Sequence, residues 1–280
     1  MTERQLAAEL RAVGVPEYDT EARIIFRELS GKSAAELALK RTELDGEVLL
    51  PIIERRKKRE PLAYILGVWY FCFESYLVTE DVLIPRRDTE LLVTSAAREI
   101  KRGGRILDLC TGSGCVGIST LRMTEKTTAL LVDISESALD VAKRNAERNG
   151  VAGRCELVCL DVLRELPFGE FDAILSNPPY VTCSEYGELE PELYYEPRAA
   201  FVGGEDGLDF YRALIPRLGD ILAEGGFIAF EIGESQAEAV GMLAVRYGYR
   251  YEIERDFAQH NRVLILRRFD DANPYCPDED

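Results

Sequence analysis

Apolar residues recur at helical spacing through the first 66 residues, and the period changes after them. Thr2 and Gln5 have capping-box spacing ahead of LAAEL. Asp19 or Thr20 can cap EARIIFREL, and Gly31 can end it. ELDGEVLLPIIERRKK keeps the helical pattern, with Pro51 as an awkward member. WYFCFESYLV is aromatic and β-branched, with partial alternation, and VLI follows the turn-like TED. Together they read as a β-hairpin. The pattern thus predicts a helical domain over 1–66 and a hairpin connector over 67–84.

From residue 85 the period itself alternates. RILDL, ALLVD, CELVCL, FDAIL, GFIAFEI, YRYEIE and RVLILR are strand candidates. TELLVTSAAREI, VGISTLRM, SESALDVAKRNAERN, DFYRALIPRLGDIL and SQAEAVGMLAV are the helices between most of them. Such alternation predicts an α/β domain over 85–270, with a mostly parallel sheet of seven strands covered on both faces. Only DFAQHN separates the last two strands, so an antiparallel edge pair is expected. More than 25 residues of weak pattern lie between Tyr180 and Leu208. A loop that long in a compact domain is usually functional or disordered. The last residues, 271–280, read as an acidic disordered tail.

Charge divides the chain in the same way. The net charge is −16, yet residues 1–60 hold twelve basic and twelve acidic residues. All the excess acid lies beyond them, so bare nucleic acid is a poor partner. RRKKR at 55–59 is the local exception. It reads as the solvated cationic end of a helix, with a partner contact as the other reading. No apolar run reaches membrane-spanning length, and MTERQLAAELRA does not read as a signal peptide. Seven cysteines without a CxxC pair and a single histidine, His260, point to reduced thiols, a cytoplasmic location and no zinc site.

ILDLCTGSGCVG, residues 106–117, carries Gly112, Gly114 and Gly117 at G-x-G-x-x-G spacing. Asp133 closes the next strand, 19 residues after Gly114. On spacing alone this is a dinucleotide fingerprint. However, Asp108, Cys110 and Thr111 stand between the strand and the first glycine. A carboxylate there suits a cation and not a pyrophosphate. S-adenosylmethionine, with its ammonium and sulfonium groups, is therefore favoured over NAD. Asp133 would take the ribose hydroxyls, and Leu160-Asp161-Val162 would flank the adenine.

LSNPPY, residues 175–180, ends the strand FDAIL on two prolines. Proline fixes φ and has no N–H, and it holds its predecessor extended. Such a tip can grip a planar NH₂ group. The Asn177 side-chain oxygen accepts one hydrogen and the Pro178 carbonyl the other, while Tyr180 stacks on the plane. Pro178 and Pro179 keep the loop from relaxing away. The plain alternative is a proline-rich turn capping a strand. DLCTGSG about 65 residues upstream and Asp133 between the two favour the NH₂ grip.

Six segments in order, REPLAYILG, IPRRDTELLV, DLCTGSGCVGI, LSNPPYV, EPRAAFVGGEDGLDFYR and DFAQHNRV, resemble the release factor glutamine methyltransferases, the PrmC/HemK family. The resemblance covers most of the chain. It implies a Rossmann-like S-adenosylmethionine-dependent methyltransferase domain behind a small helical substrate-recognition domain and hairpin connector. It also implies methylation of the side-chain amide nitrogen of the glutamine in the GGQ motif of bacterial class I peptide chain release factors. It places Cys110, Thr111, Gly112, Ser113, Gly114, Asp133, Val162 and Asn177 at cofactor positions, and Asn177 to Tyr180 at the glutamine. Cys110 stands where the family usually has Gly, Arg87 where it has Pro, Gln259 where Gly is common, and Val162 where an aromatic is often found. A monomer is expected. A ribosomal-protein glutamine methyltransferase shares the fold, cofactor and NPPY motif, but PLAYILG favours release factors. A DNA amino-methyltransferase is disfavoured by the negative charge and by the lack of a basic target-recognition region.

Overall fold

The computed structural model describes residues 1–39 and 42–269. The acidic tail expected over 271–280 lies outside the described residues. Helix α1 (Glu3–Ala12) starts on the expected capping box: Thr2 Oγ1 accepts from the Gln5 N–H, and Gln5 Oε1 from the Thr2 N–H at 2.8 Å. Helix α2 (Tyr18–Ser30) begins one residue before the expected caps. Asp19 and Glu21 sit in its first turn instead, where their charge favours the helix dipole. Gly31, at φ +64°, closes it as expected. Helices α3 (Ala34–Leu39), α4 (Gly46–Lys57, with Pro51 inside) and α5 (Leu62–Leu66) complete the set. Leu6, Leu10, Ile25, Phe26 and Leu49 bury a core of their own among these helices.

The hairpin differs from the expected one. Its strands, β1 (Val68–Phe71) and β2 (Glu74–Leu77), both fall, but for Val68, inside the run that reads as one strand. The turn is Cys72 (φ +48°) and Phe73 (φ +66°), the left-handed pair that matches strand twist. Neither is a residue type that marks such a turn, so the period could not reveal it. The Cys72 N–H is held by Glu90 Oε1 at 2.9 Å. VLI forms no strand; Val82 and Ile84 bury themselves near Ala138 and Val141.

The remaining strands form one sheet. They are β3 (Arg105–Leu109), β4 (Thr128–Asp133), β5 (Cys155–Cys159), β6 (Phe171–Ser176), β7 (Leu222–Glu231), β8 (Tyr249–Arg255) and β9 (Asn261–Arg268), in the order β5-β4-β3-β6-β7-β9-β8. The first five pair parallel with one another, and β9 runs antiparallel to both β7 and β8. Helices α6 (Glu90–Glu99), α7 (Cys115–Met123) and α8 (Glu136–Arg148) cover one face. Helices α10 (Asp209–Leu218) and α11 (Ala237–Arg246) cover the other. DFYRALIPRLGDIL is α-helical to Leu218 and continues as a 3-10 turn through Ile221; β7 starts at Leu222, earlier than its apolar run suggests.

The long connection after Tyr180 is built, not slack. It carries α9 (Cys183–Tyr186), two 3-10 turns and a bridge between Val181 and Val202. It also ties the N-terminal helices to the sheet. Arg56, only 2% exposed, bonds Glu21 and reaches Glu192 of this segment at 3.3 Å; Arg59 bonds Glu190 and Glu192. The RRKKR run is therefore only partly solvated: Lys57 and Lys58 are exposed, while Arg56 is a buried link.

Candidate active site

The strand order reverses between β3 and β6, the place where open α/β sheets leave a crevice at their carboxyl ends. Leu109 and Ser176 are register partners there, and the Ser176 hydroxyl donates to the Leu109 carbonyl at 2.8 Å. The glycine turn and the NPPY tip therefore leave the sheet side by side.

The turn is closed by its own acids. Asp108 Oδ2 accepts from the Thr111 hydroxyl at 2.5 Å and from the Gly117 N–H at 2.9 Å. Gly117 has to be glycine: a Cβ there would lie 2.4 Å from Leu131 and 3.0 Å from Asp108 Oδ2. Burial pushes the Asp108 carboxyl up to about 7, against the pull of those two donors. Asp133 Oδ2 accepts from the Gly112 N–H at 2.8 Å, and its Oδ1 from the Ser135 N–H. Cys110 holds φ +58°, a left-handed value that suits glycine better. Ser113 is buried, and its carbonyl accepts from Asn145 at 2.8 Å. Gly114 caps α7.

The expected adenine flank is less open. Val162 is 6% exposed and belongs to the core, and Asp161 accepts from the Leu163 N–H and pairs with Arg164. Ile134, directly after Asp133, is 63% exposed.

At the tip, Asn177 is half-buried and both prolines are buried. Asn177 Nδ2 donates to Thr89 Oγ1 at 3.2 Å. The Tyr180 hydroxyl donates to Glu231 Oε1 at 3.1 Å, which anchors the tip of the ring. The Tyr180 carbonyl accepts from Gln236 at 3.0 Å. Gly203 lies against Pro179 so closely that a Cβ would meet the Pro179 carbonyl at 2.3 Å. GGEDG is thus the bed on which the tip rests.

Thr89, Gly203, Glu231 and Gln236 were not singled out from the sequence as site residues. Glu231 did leave a signal, since an acid inside the buried run GFIAFEI is rarely placed there for packing. It is 1% exposed, and burial raises its carboxyl to about 7.

The match to known proteins agrees in both halves of the chain. Residues 3–67 match the PrmC N-terminal domain model, and residues 87–189 the Methyltransferase small domain model. The release factor glutamine methyltransferase of Geobacter sulfurreducens is 42% identical over 71% of this chain and 69% of its own length. That of Thermodesulfovibrio yellowstonii is 40% identical over 81% and 83%. The solved ribosomal protein L11 methylase of Lactobacillus delbrueckii subsp. bulgaricus is 20% identical, covers 68% of this chain and 83% of its own, and has a TM-score of 0.51, which speaks for the fold alone. The chain therefore belongs to the family of release factor glutamine methyltransferases, enzymes that take their methyl group from S-adenosylmethionine.

Proposed function

We propose that this protein methylates the side-chain amide nitrogen of a glutamine in a peptide chain release factor, the glutamine of its GGQ motif, and that the NPPY tip is where that amide is held. The observation that carries this is the hydrogen bond from Asn177 Nδ2 to Thr89. It leaves Asn177 Oδ1 as an acceptor beside the Pro178 carbonyl, and neither Pro178 nor Pro179 has an N–H to compete for those acceptors. Two acceptors match the two hydrogens of an NH₂ group. Tyr180, braced by Glu231, supplies the flat surface beside it.

S-adenosylmethionine supplies a methyl group on a positively charged sulfur. The donor set fits that molecule. Asp108 offers a buried carboxyl to its cationic end, and Asp133 offers acceptors to the ribose. Cys110, Thr111, Gly112, Ser113 and Gly114 form the wall between them. Ile134 offers exposed apolar surface to the base, and Asp161 and Val162 follow the neighbouring strand β5. The chain's own contribution to the rate is orientation, which can be worth on the order of 7–11 kcal/mol.

The N-terminal helices, tied to the segment after the tip by Arg56 and Arg59, would give a folded partner a second point of contact. We place the protein in the cytoplasm as a monomer without direct nucleic-acid contact. Among the described residues no helix is long and apolar enough to cross a membrane.

The test is incubation with isotopically labelled cofactor and either a full-length release factor or a ribosomal protein, followed by peptide mass mapping. Label on the GGQ glutamine of the release factor is expected. Label on the ribosomal protein alone would move the function to the neighbouring activity.

A further inference from the structure

We propose that Phe257, on the turn between β8 and β9, is an anchor for the folded substrate and enters an apolar pocket on the release factor beside its GGQ loop. This rests on the proposed function, which supplies the partner.

Three observations carry it. First, the turn stands at the same edge of the sheet as the tip. Glu231 ends β7 and is the register partner of Val263, near the start of β9, which runs antiparallel to both its neighbours. Residues 256–260 therefore lie at the carboxyl edge, where the NPPY tip leaves β6. With strands about 4.8 Å apart, the turn is roughly 12 Å along that edge from the tip. An interface of about 800 Å² per partner, the standard size, is roughly 30 Å across. A folded partner seated on the tip therefore covers Phe257 as well.

Second, the turn is rigidly built. The Asp256 N–H donates to the His260 carbonyl at 3.0 Å, the Gln259 N–H to the Asp256 carbonyl at 2.9 Å, and the His260 N–H to Asp256 Oδ1 at 3.0 Å. Gln259 closes it at φ +68°. Arg262 fastens it beside the tip. Its Nη2 lies 3.3 Å from Asp256 Oδ2 and 3.4 Å from Asp88 Oδ2. Asp88 directly precedes Thr89, which accepts from Asn177.

Third, Phe257 is fully exposed on that turn. One exposed apolar side chain is ordinary on a protein surface. An aromatic ring on a fixed backbone, within the footprint of a protein substrate, has little ordering entropy left to lose on binding, and that is the property of an interface anchor. Glu234, joined to the turn by His260 and Asn261, and Asp88 both have side chains more than half exposed. The pocket that fits is therefore apolar, with basic side chains at its mouth. Phe168 is the matched comparison. It is just as exposed, but it precedes β6 and so lies at the opposite edge of the sheet.

The experiment measures the Kd for a full-length release factor, and the kcat and KM for its methylation at saturating cofactor, in wild type, Phe257→Ala, Phe257→Leu and Phe168→Ala. Phe257→Ala should raise Kd and KM about tenfold, with kcat and the cofactor Kd unchanged. Phe257→Leu, which keeps an apolar side chain, should recover most of the loss. Phe168→Ala should match wild type. An unchanged Kd in Phe257→Ala would overturn the anchor. A loss confined to kcat, which would make Phe257 a prop for the tip, or an equal loss in Phe168→Ala would overturn it too. A wild type that binds the factor and shows the Phe257 effect, yet leaves the GGQ glutamine unlabelled, would overturn the proposed function and keep the anchor. A wild type that does not bind the factor would overturn both.

Discussion

The glycine turn after β3 and the NPPY tip after β6 leave neighbouring strands at the same edge of the sheet, yet they are held in place by different means. The turn is held by residues close in sequence. Asp108 reaches Thr111 three positions on and Gly117 nine positions on, and Asp133 reaches back 21 residues to Gly112. The tip is held from afar. Thr89 lies 88 residues before Asn177, while Glu231 and Gln236 lie 51 and 56 residues after Tyr180. A local device shapes a pocket that any member of a large class of enzymes could use. A device assembled across the fold sets the orientation of one side chain, and that orientation is what the proposed grip on an NH₂ group requires.

The sharpest way to break this contrast is at the tip. Asn177→Ala should lower single-turnover methylation at least about a hundredfold, the scale of a lost orienting contact. The protein should still fold, because Asn177 sits at a strand end and outside the core. Cofactor affinity, measured by calorimetry, should change much less than turnover. A cofactor defect as large as the turnover defect would mean that tip and turn are one device.

The converse change belongs to the turn. Asp133→Ala should weaken cofactor binding roughly tenfold to a hundredfold, the value of hydrogen bonds to a charged acceptor. Turnover at saturating cofactor should survive. Unchanged affinity in calorimetry would place the ribose elsewhere.

The smallest effect is a pH dependence. Asp108 is raised to about 7 by burial, so the ligand-free fold retains a proton that the unfolded chain has lost. Its contribution to stability is therefore greatest at low pH and falls as pH rises toward 7. A cationic ligand reverses the preference, since it favours the carboxylate. Cofactor affinity should therefore tighten as pH rises from 6 to 8, by up to about tenfold per unit below the pKa. Asp108→Asn should flatten that profile. A wild-type profile already flat by calorimetry would separate Asp108 from the cationic end of the ligand.

The legibility of the two regions follows from the same distances. ILDLCTGSGCVG carried its own strand, turn, acid and helix start in one stretch, so its shape could be read in order. RILDL, ALLVD and FDAIL were equally plain, because a strand buried on both faces is apolar along its length. The hairpin misled, since its turn used Cys72 and Phe73 in place of glycine or asparagine. Val162 could be placed at a strand end, but not in the core.

By itself the sequence determined the helical start, the alternation of strand and helix, the glycine turn and the proline-stiffened tip. Each of these rests on neighbours along the chain: a period, a cap, a fixed φ. The tertiary structure alone decided that β9 enters between β7 and β8, that Gly203 underlies Pro179, and that Arg56 joins two distant carboxylates. It also decided that Thr89 meets Asn177 and that Glu231 meets Tyr180. The reason is that a buried hydrogen bond is settled by which groups are left without water once the elements have packed. Residues far apart in sequence carry no mark of that choice before the fold brings them together.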